Sequence, residues 1–198
     1  MRKLLLLPIT AFLITSCGEA PKNELEAQEN IAENIESGNI YGPVDYNDGL
    51  LAEITLLEVK LAMLADLDAK DVSTEEMVAA CKESMQEYNK VMSALQNIEP
   101  YGVKGAEFKE AVIELVKHTG KMFNLYNEYS HILAVPDAEW TTENAEIWDE
   151  AYNAIYDDYE LANESCIEIQ DQYASLNNMN LDYTGATAEE IYEESIEK

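Results

Sequence analysis

The sequence has few basic residues. Lysine and arginine together number 12 against 40 aspartate and glutamate residues, which gives a formal net charge of −28. A chain this acidic repels the phosphates of nucleic acids and has no basic patch to release their counterions, so nucleic-acid binding is excluded. Anionic lipid headgroups are disfavoured for the same reason. The 47% apolar content nevertheless predicts a folded core of ordinary domain size.

Histidine and cysteine are also scarce, with two and three residues. A di-iron helical bundle needs two Glu-x-x-His pairs. The chain has one such string, Glu128 to His131, on the outer side of its helix, and His118 lacks the matching glutamate. Met122 beside His118 leaves non-covalent haem open, although methionine on such a stripe is usually core filler. Nucleophile-elbow and phosphate-loop motifs are absent as well, so we expect no metal, no cofactor and no enzymatic activity.

The N-terminal residues resemble the signal sequence of a bacterial lipoprotein. A basic Met-Arg-Lys start precedes an apolar run, residues 4–14, that is too short to span a bilayer as a helix. The string Ile14-Thr15-Ser16-Cys17 matches the pattern in which the cysteine is lipidated and becomes the first mature residue. The alternative is an ordinary secretory signal in which Cys17 is incidental.

This resemblance implies a Gram-negative envelope lipoprotein from which residues 1–16 are removed. Lipid on Cys17 would attach the mature chain firmly to a membrane. Gly18, rather than aspartate, follows the cysteine, which favours the outer membrane, on its periplasmic or its surface face. Residues 17–44 then form a tether rich in glutamate and asparagine. Its apolar residues would support a short helix across 22–36, but the apolar face is thin, so we expect it to be mostly flexible.

Four segments from residue 45 onward carry apolar residues spaced alternately four and three apart. This 3.5-residue repeat places one apolar stripe on each helix and favours left-handed packing, and none of the segments alternates as a strand would. The stripes run from Leu50 to Leu64, from Met77 to Ile98, from Phe108 to Leu133 and from Trp148 to Leu176.

Helix-ending signals separate these segments. Ser73 to Glu76 is a capping box before the second segment, Pro100 follows that segment, Pro136 ends the third, and Thr141 or Thr142 can cap the fourth. The connections are roughly 5–8 residues, which makes consecutive helices antiparallel. We therefore predict an all-α fold, an antiparallel up-down-up-down four-helix bundle with heptad-type packing, over residues 45–181.

The acidic tail, residues 182–198, contains a second capping box at Thr187 to Glu190. A short helix can follow it. The tail has too few apolar residues to demand docking on the bundle.

Cys81 and Cys166 both lie on core stripes, which would permit a disulfide in an exported protein. Their axial positions argue against one. At 1.5 Å per residue the two cysteines are separated along the bundle by roughly 20 Å, whereas a disulfide requires α-carbons within ~7 Å. We therefore expect no disulfide and two buried free thiols.

Tyrosine is the abundant aromatic residue, with 12 copies against three phenylalanines and two tryptophans. A buried tyrosine hydroxyl needs a partner or a path to water. One hypothesis is a tyrosine-lined groove between helices that holds a polar ligand; the other is a core whose tyrosine tips reach solvent. The candidate ligand-facing residues are Tyr126, Tyr129, Tyr152, Tyr159 and, in the third loop, Trp140.

The region 45–180 is similar to an uncharacterised family of bacterial surface lipoproteins with a helical-bundle ectodomain. The similar strings are Asp45-Tyr46-Asn47-Asp48, Ile98-Glu99-Pro100-Tyr101 and Ile169-Gln170-Asp171-Gln172-Tyr173. The resemblance implies a surface lipoprotein and supplies no active-site residues.

Together these features favour a non-enzymatic interaction or structural module on the cell envelope. A membrane is one partner, through the lipid anchor, and an acidic surface steers a basic protein as another. The alternative function is that of a small-molecule carrier with a tyrosine-lined pocket between helices.

Overall fold

The computed structural model describes residues 24–70, 72–181 and 186–196. These residues form seven helices and, within those ranges, no strand, which confirms the all-α prediction. The expected signal peptide, Cys17 and the residues at 182–185 lie outside the described part. The helices are α1 Glu24–Glu36, α2 Pro43–Asp68, α3 Thr74–Asn97, α4 Gly105–Glu128, α5 Ser130–Leu133, α6 Thr142–Leu176 and α7 Ala188–Ile196.

Local side-chain chemistry sets where the helices begin. The Ser73 side chain accepts from the backbone N–H of Glu76, whose carboxylate accepts from Ser73 N at 2.8 Å. Thr141 and Asn144 form the same reciprocal arrangement at the start of α6. Both capping positions were predicted, because a hydroxyl next to the free N–H groups of a first helical turn satisfies donors that have no helical partner.

The third predicted helix is interrupted. Its stripe was expected to continue to Leu133, but α4 ends at Glu128 and the single turn α5 follows, with Tyr129 between them at φ −96° and ψ 12°. The apolar side chains Ile132 and Leu133 remain buried. Apolar spacing therefore located the buried face correctly, while it did not predict the break in the helix at Tyr129.

Helix α2 is the central helix of the fold, because it is buried on more than one side. Its stripe from Leu50 to Leu64 belongs to the main core that it shares with α3, α4 and α6. Ala52, Leu56 and Val59, on other sides of the helix, lie in two smaller clusters with α1 and α7. A helix that is apolar on several sides is buried on several sides, which explains why α1, α3, α4, α6 and α7 all pack around this one.

Helix α1 packs against α2 in the opposite chain direction. Ile35 lies over Gly49, Ala32 lies with Ala52, and Leu25 packs near Val59. The sequence predicted a mostly flexible segment here. The difference arises because Gly49 lacks a side chain, so that Ile35 occupies the space of a β-carbon and the two helices come close together.

Helix α7 docks on the same side of α2. Ala188 and Ile191 are completely buried against Val59, and the Tyr192 hydroxyl donates to Asp66 Oδ2 at 2.7 Å. The tail was expected to have too few apolar residues to demand docking, but it does dock on α2. Two small contacts are sufficient here because the receiving surface of α2 is already apolar.

Side chains connect α2 to α6 at several levels. Tyr173 Oη donates to Pro43 O at 3.3 Å, Gln170 Nε2 donates to Asn47 Oδ1 at 2.9 Å, and Tyr159 bonds Glu58 further along. Residue numbers rise on α2 as they fall on α6, so the two helices run in opposite directions. In the described ranges no helix is both long enough and apolar enough to cross a membrane.

Candidate functional site

The aromatic side chains of α4 and α6 form a continuous internal row. Tyr126 and Tyr129 contact Trp148 with ring centroids 5.3 and 6.1 Å apart, and Trp148 contacts Tyr152 at 5.6 Å. Tyr152 then stacks on Tyr156 at 5.4 Å, and Tyr156 on Tyr159. We call this set, Tyr126, Tyr129, Trp148, Tyr152, Tyr156 and Tyr159, the aromatic ladder.

The aromatic ladder brings together four of the five residues that the sequence proposed as ligand-facing. Tyr126, Tyr152 and Tyr159 are at most 5% exposed, and Tyr129 is half-buried. Trp140 is half-buried before α6 and packs on the main core. Most of the predicted tyrosine face is therefore occupied by ring-to-ring contacts within the protein.

Two hydroxyl groups of the ladder differ in their partners. Tyr159 Oη donates to Glu58 Oε1 at 3.1 Å. The Tyr152 hydroxyl is buried without a hydrogen-bond partner. Burial raises the pKa of both phenols well above the usual value, so both remain protonated donors.

Glu58 is a carboxyl group inside the core. It is 1% exposed, and its Oε2 atom has no hydrogen-bond partner. Burial raises its pKa to about 8, while the hydrogen bond from Tyr159 acts in the opposite direction. Because desolvation penalises the charged form, this side chain is mostly neutral at pH 7.

Glu53 is a second buried carboxyl group, where α1, α2 and α3 meet. It is 1% exposed and neither of its oxygens has a hydrogen-bond partner. Burial and then the negative charge of Glu36 raise its pKa to about 8, against the lowering effect of Lys90. Like Glu58, it is mostly neutral at pH 7.

Sequence reasoning missed both glutamates. Each follows or precedes aliphatic residues directly, as in Leu57-Glu58-Val59, but neither falls on the stripe. The available signal was the lack of a polar face on this helix. A glutamate in the middle of such a helix becomes buried because neighbouring helices cover it on several sides.

Cys81 and Cys166 are both buried and unbridged. Burial raises the pKa of Cys81 to about 11 and, together with the charge of Glu58, that of Cys166 to about 12. A thiol reacts as its thiolate, so both behave as small apolar side chains.

The histidines do not converge on a metal-binding arrangement. His118 is buried, with Nδ1 3.2 Å from Lys121 Nζ and Nε2 3.5 Å from Glu114 Oε1, and His131 is exposed. Among the residues with described positions, no group of three or more histidine, cysteine, aspartate or glutamate side chains could hold a metal ion.

Five exposed large apolar side chains lie at one end of the molecule, where α2 and α4 begin and α6 ends, while Ile147, Leu161 and Ile196 are exposed elsewhere. The five come from three chain segments and are 37–84% exposed. We call this set the apolar end, and it consists of Tyr41, Val44, Tyr101, Val103 and Leu176.

Hydrogen bonds hold these three segments together. The Asn177 side chain accepts from Val103 N at 3.0 Å and donates to Val103 O at 2.9 Å. Tyr46 Oη donates to Gly105 O at 2.8 Å, and Tyr173 Oη reaches Pro43 O. The side chains of the apolar end therefore project from fixed backbone.

Acidic residues surround the apolar end. Asp45, Glu99 and Glu107 are exposed there. Lys104 has its ammonium 3.0 Å from Glu107 Oε2 and 2.8 Å from Gln172 Oε1, and Lys109 donates to the carbonyl oxygen of Ile98. Both ammonium groups are held by these internal contacts, and Lys104 offsets the charge of Glu107. The carboxylates of Asp45 and Glu99 therefore remain available to a basic partner.

No protein-family model matches the chain, and no similar protein was found among curated proteins or among solved structures. Function is therefore inferred from the geometry and chemistry of its own residues.

Proposed function

We propose that the protein is a non-enzymatic cell-envelope lipoprotein whose folded part binds another macromolecule. The observation that carries this proposal is the contrast between two sets of apolar side chains. The rings of the aromatic ladder pack against one another within the protein, whereas the side chains of the apolar end are exposed to water. Large apolar groups gathered on a surface are typical of interaction sites.

We infer that α2, α3, α4 and α6 form an antiparallel up-down-up-down bundle, with α1 and α7 on the back of α2. The Tyr46–Gly105 bond supports this, because it joins the starts of α2 and α4. The Tyr173–Pro43 bond joins the end of α6 to the start of α2. Short connections between consecutive helices complete this topology.

The direction of α1 determines at which end of α2 the N-terminal chain enters the folded part. Leu25 lies near Val59, roughly 24 Å along α2 from Pro43 at 1.5 Å per residue. A chain attached to the outer membrane through Cys17 would thus approach from the C-terminal half of α2. The apolar end lies at the other end of α2.

Fatty-acid labelling tests the anchor. Cells that express the full-length chain are grown with an alkyne-tagged fatty acid, and the protein is then captured and its label measured. We expect label on the unaltered chain and none on Cys17→Ala, with Cys81→Ala as the matched cysteine control that keeps it. Label on Cys17→Ala, or none on the unaltered chain, would contradict the proposal.

Cross-linking in intact envelopes tests the interaction. We expect a reproducible covalent adduct with one polypeptide at low ionic strength, identified by mass spectrometry and reduced at high salt. A chain that stays free of any reproducible adduct at low salt would refute an interaction module.

A small-molecule carrier is the second candidate, favoured by one observation. Glu58 Oε2 and Tyr152 Oη are both buried without partners beside the aromatic ladder. A polar ligand that reached either group would supply its missing hydrogen bond. A native mass spectrum of the protein from its own envelope decides: an added mass that disappears in Glu58→Gln supports the carrier, and an apo mass removes it.

A further inference from the structure

We propose that the apolar end binds a basic, amphipathic helical segment of a partner protein. This inference rests on the proposed function and narrows it to one surface and one class of partner.

The backbone that carries the apolar end is held in place, which favours binding of a partner there. Three chain segments contribute its side chains. The side-chain amide of Asn177, at the end of α6, accepts from Val103 N and donates to Val103 O, and these two hydrogen bonds join the end of α6 to the loop before α4. An exposed apolar surface on fixed backbone loses little conformational entropy when it is covered. Leu176, half exposed on the last turn of α6, and Val103 would contact the apolar face of the partner.

Charge determines the partner's second property. The exposed carboxylates of Asp45, Glu99 and Glu107 surround the apolar side chains. Lys104 is paired with Glu107, which leaves the carboxylates of Asp45 and Glu99 as acceptors for positive charge. A segment with leucine-like residues on one face and lysine or arginine beside them complements both features.

The same charges disfavour the other occupants of an apolar surface. A bilayer that contains anionic lipid is repelled by the carboxylates. A second copy of this chain also carries a net charge of −28, and the repulsion between the two copies opposes self-association at low salt. A basic polypeptide is the occupant for which both the apolar contact and the charge interaction are favourable.

Binding of a defined peptide tests the proposal. The probe is a leucine–lysine peptide of about 18 residues, five helical turns, with leucine repeating at the helical period. The protein is the chain from residue 18 onward, which retains every described helix and contact. Isothermal titration calorimetry measures the affinity at about 50 mM and 500 mM salt.

We expect binding that weakens about tenfold in Val103→Ser/Leu176→Ser and again at the higher salt. The matched control is Leu161→Ser. Leu161 is 64% exposed on the same helix as Leu176, about 22 Å away from it at 1.5 Å per residue, and its loss should leave the affinity unchanged. Glu99→Gln should weaken binding more at low than at high salt.

Three outcomes would overturn the inference: equal effects of Leu161→Ser and the double variant, equal binding of a leucine–glutamate peptide, or no peptide binding. Flotation with phosphatidylcholine vesicles and sedimentation equilibrium are run in parallel. Vesicle binding or dimerisation that is lost in the double variant would assign the surface to a membrane or to a second copy. An envelope cross-link that survives in the double variant would leave the proposed function intact while refuting this surface.

Discussion

At the residue scale, the unusual feature is a pair of carboxyl groups inside the core. Glu53 and Glu58 are each 1% exposed on the central helix α2. Tyr159 supplies the hydrogen bond to Glu58, and Lys90 lies near Glu53. An ionised carboxylate at either position would lose its hydration with little compensation, so these positions favour the protonated form.

This protonation makes stability depend on pH. The pKa of Glu58 is about 8 in the folded chain against an ordinary value of 4.5. Between these values the folded state holds a proton that the unfolded state releases. The stabilisation is therefore complete below pH 4.5 and is lost as the pH rises to 8, by about 1.4 kcal/mol per pH unit for one carboxyl group. Glu53 acts in the same direction.

We predict that Glu58→Gln reduces this pH dependence. The amide cannot ionise, so the free energy of unfolding should fall less between pH 5 and pH 8 than in the unaltered chain, and the variant should be the more stable one at pH 8. Urea unfolding followed by circular dichroism measures both. Glu164→Gln, an exposed position on α6, is the control for removing one charge. If the free energy of unfolding changed equally with pH in the two variants, ionisation of Glu58 would not destabilise the folded state and the prediction would be wrong.

At the element scale, α1 depends on one close approach to α2. A β-carbon on Gly49 would lie 2.5–2.8 Å from three side-chain atoms of Ile35, one of which is the β-carbon of Ile35. Such distances are far below van der Waals contact, and the β-carbon of Ile35 cannot move without its helix. The missing side chain of Gly49 is therefore what allows α1 to dock.

We predict that Gly49→Ala loosens α1 while the rest of the fold stays formed. The overlap should cost about 1–3 kcal/mol, and hydrogen exchange of the amides in 24–36 should accelerate more than that of α4. Gly105→Ala is the matched control, because its β-carbon would meet nothing closer than 3.6 Å. Unchanged exchange in α1 would mean that Ile35 is not essential to its docking. Ile35→Ala in the same chain should restore part of the lost protection.

At the scale of the whole molecule, charge of one sign dominates. The net charge of −28 repels itself in any compact state. Local pairs such as Lys117–Glu114, at 2.8 Å, are exposed and contribute little to stability. Salt should therefore matter more through general screening than through the loss of individual ion pairs.

We predict that raising sodium chloride from about 10 to 500 mM stabilises the protein, since the screening length falls from about 30 Å to a few ångströms. A gain of 1 kcal/mol would raise Tm by about 2–4 °C for a chain of this length. Potassium chloride should act equally at equal ionic strength, and sucrose at equal osmolality should act less. A Tm that falls with salt would show that the ion pairs outweigh the repulsion.

The four stripes and the helix starts could be predicted because they depend on neighbours in the chain. Each capping pair lies within one helical turn, Ser73 with Glu76 and Thr141 with Asn144. An apolar stripe depends only on the spacing of residues within its own helix. The candidate site could be predicted only in part. The tyrosine positions were found, but their contacts with one another and with Glu58 depend on how helices pack.

The sequence by itself determined the helical fold class, the acidic surface and most of the buried stripes, because composition and short-range spacing specify them. Leu176, the last residue of the fourth predicted stripe, is instead half exposed. Only the tertiary structure decided that α2 is covered on several sides, that Glu53 and Glu58 are enclosed, and that the apolar end assembles. Val59, for example, is covered by Leu25 and Ile191, which are far from it and from each other in the chain. Burial of that kind depends on which other helix packs against the residue, and the periodicity within one helix carries no information about its distant partners.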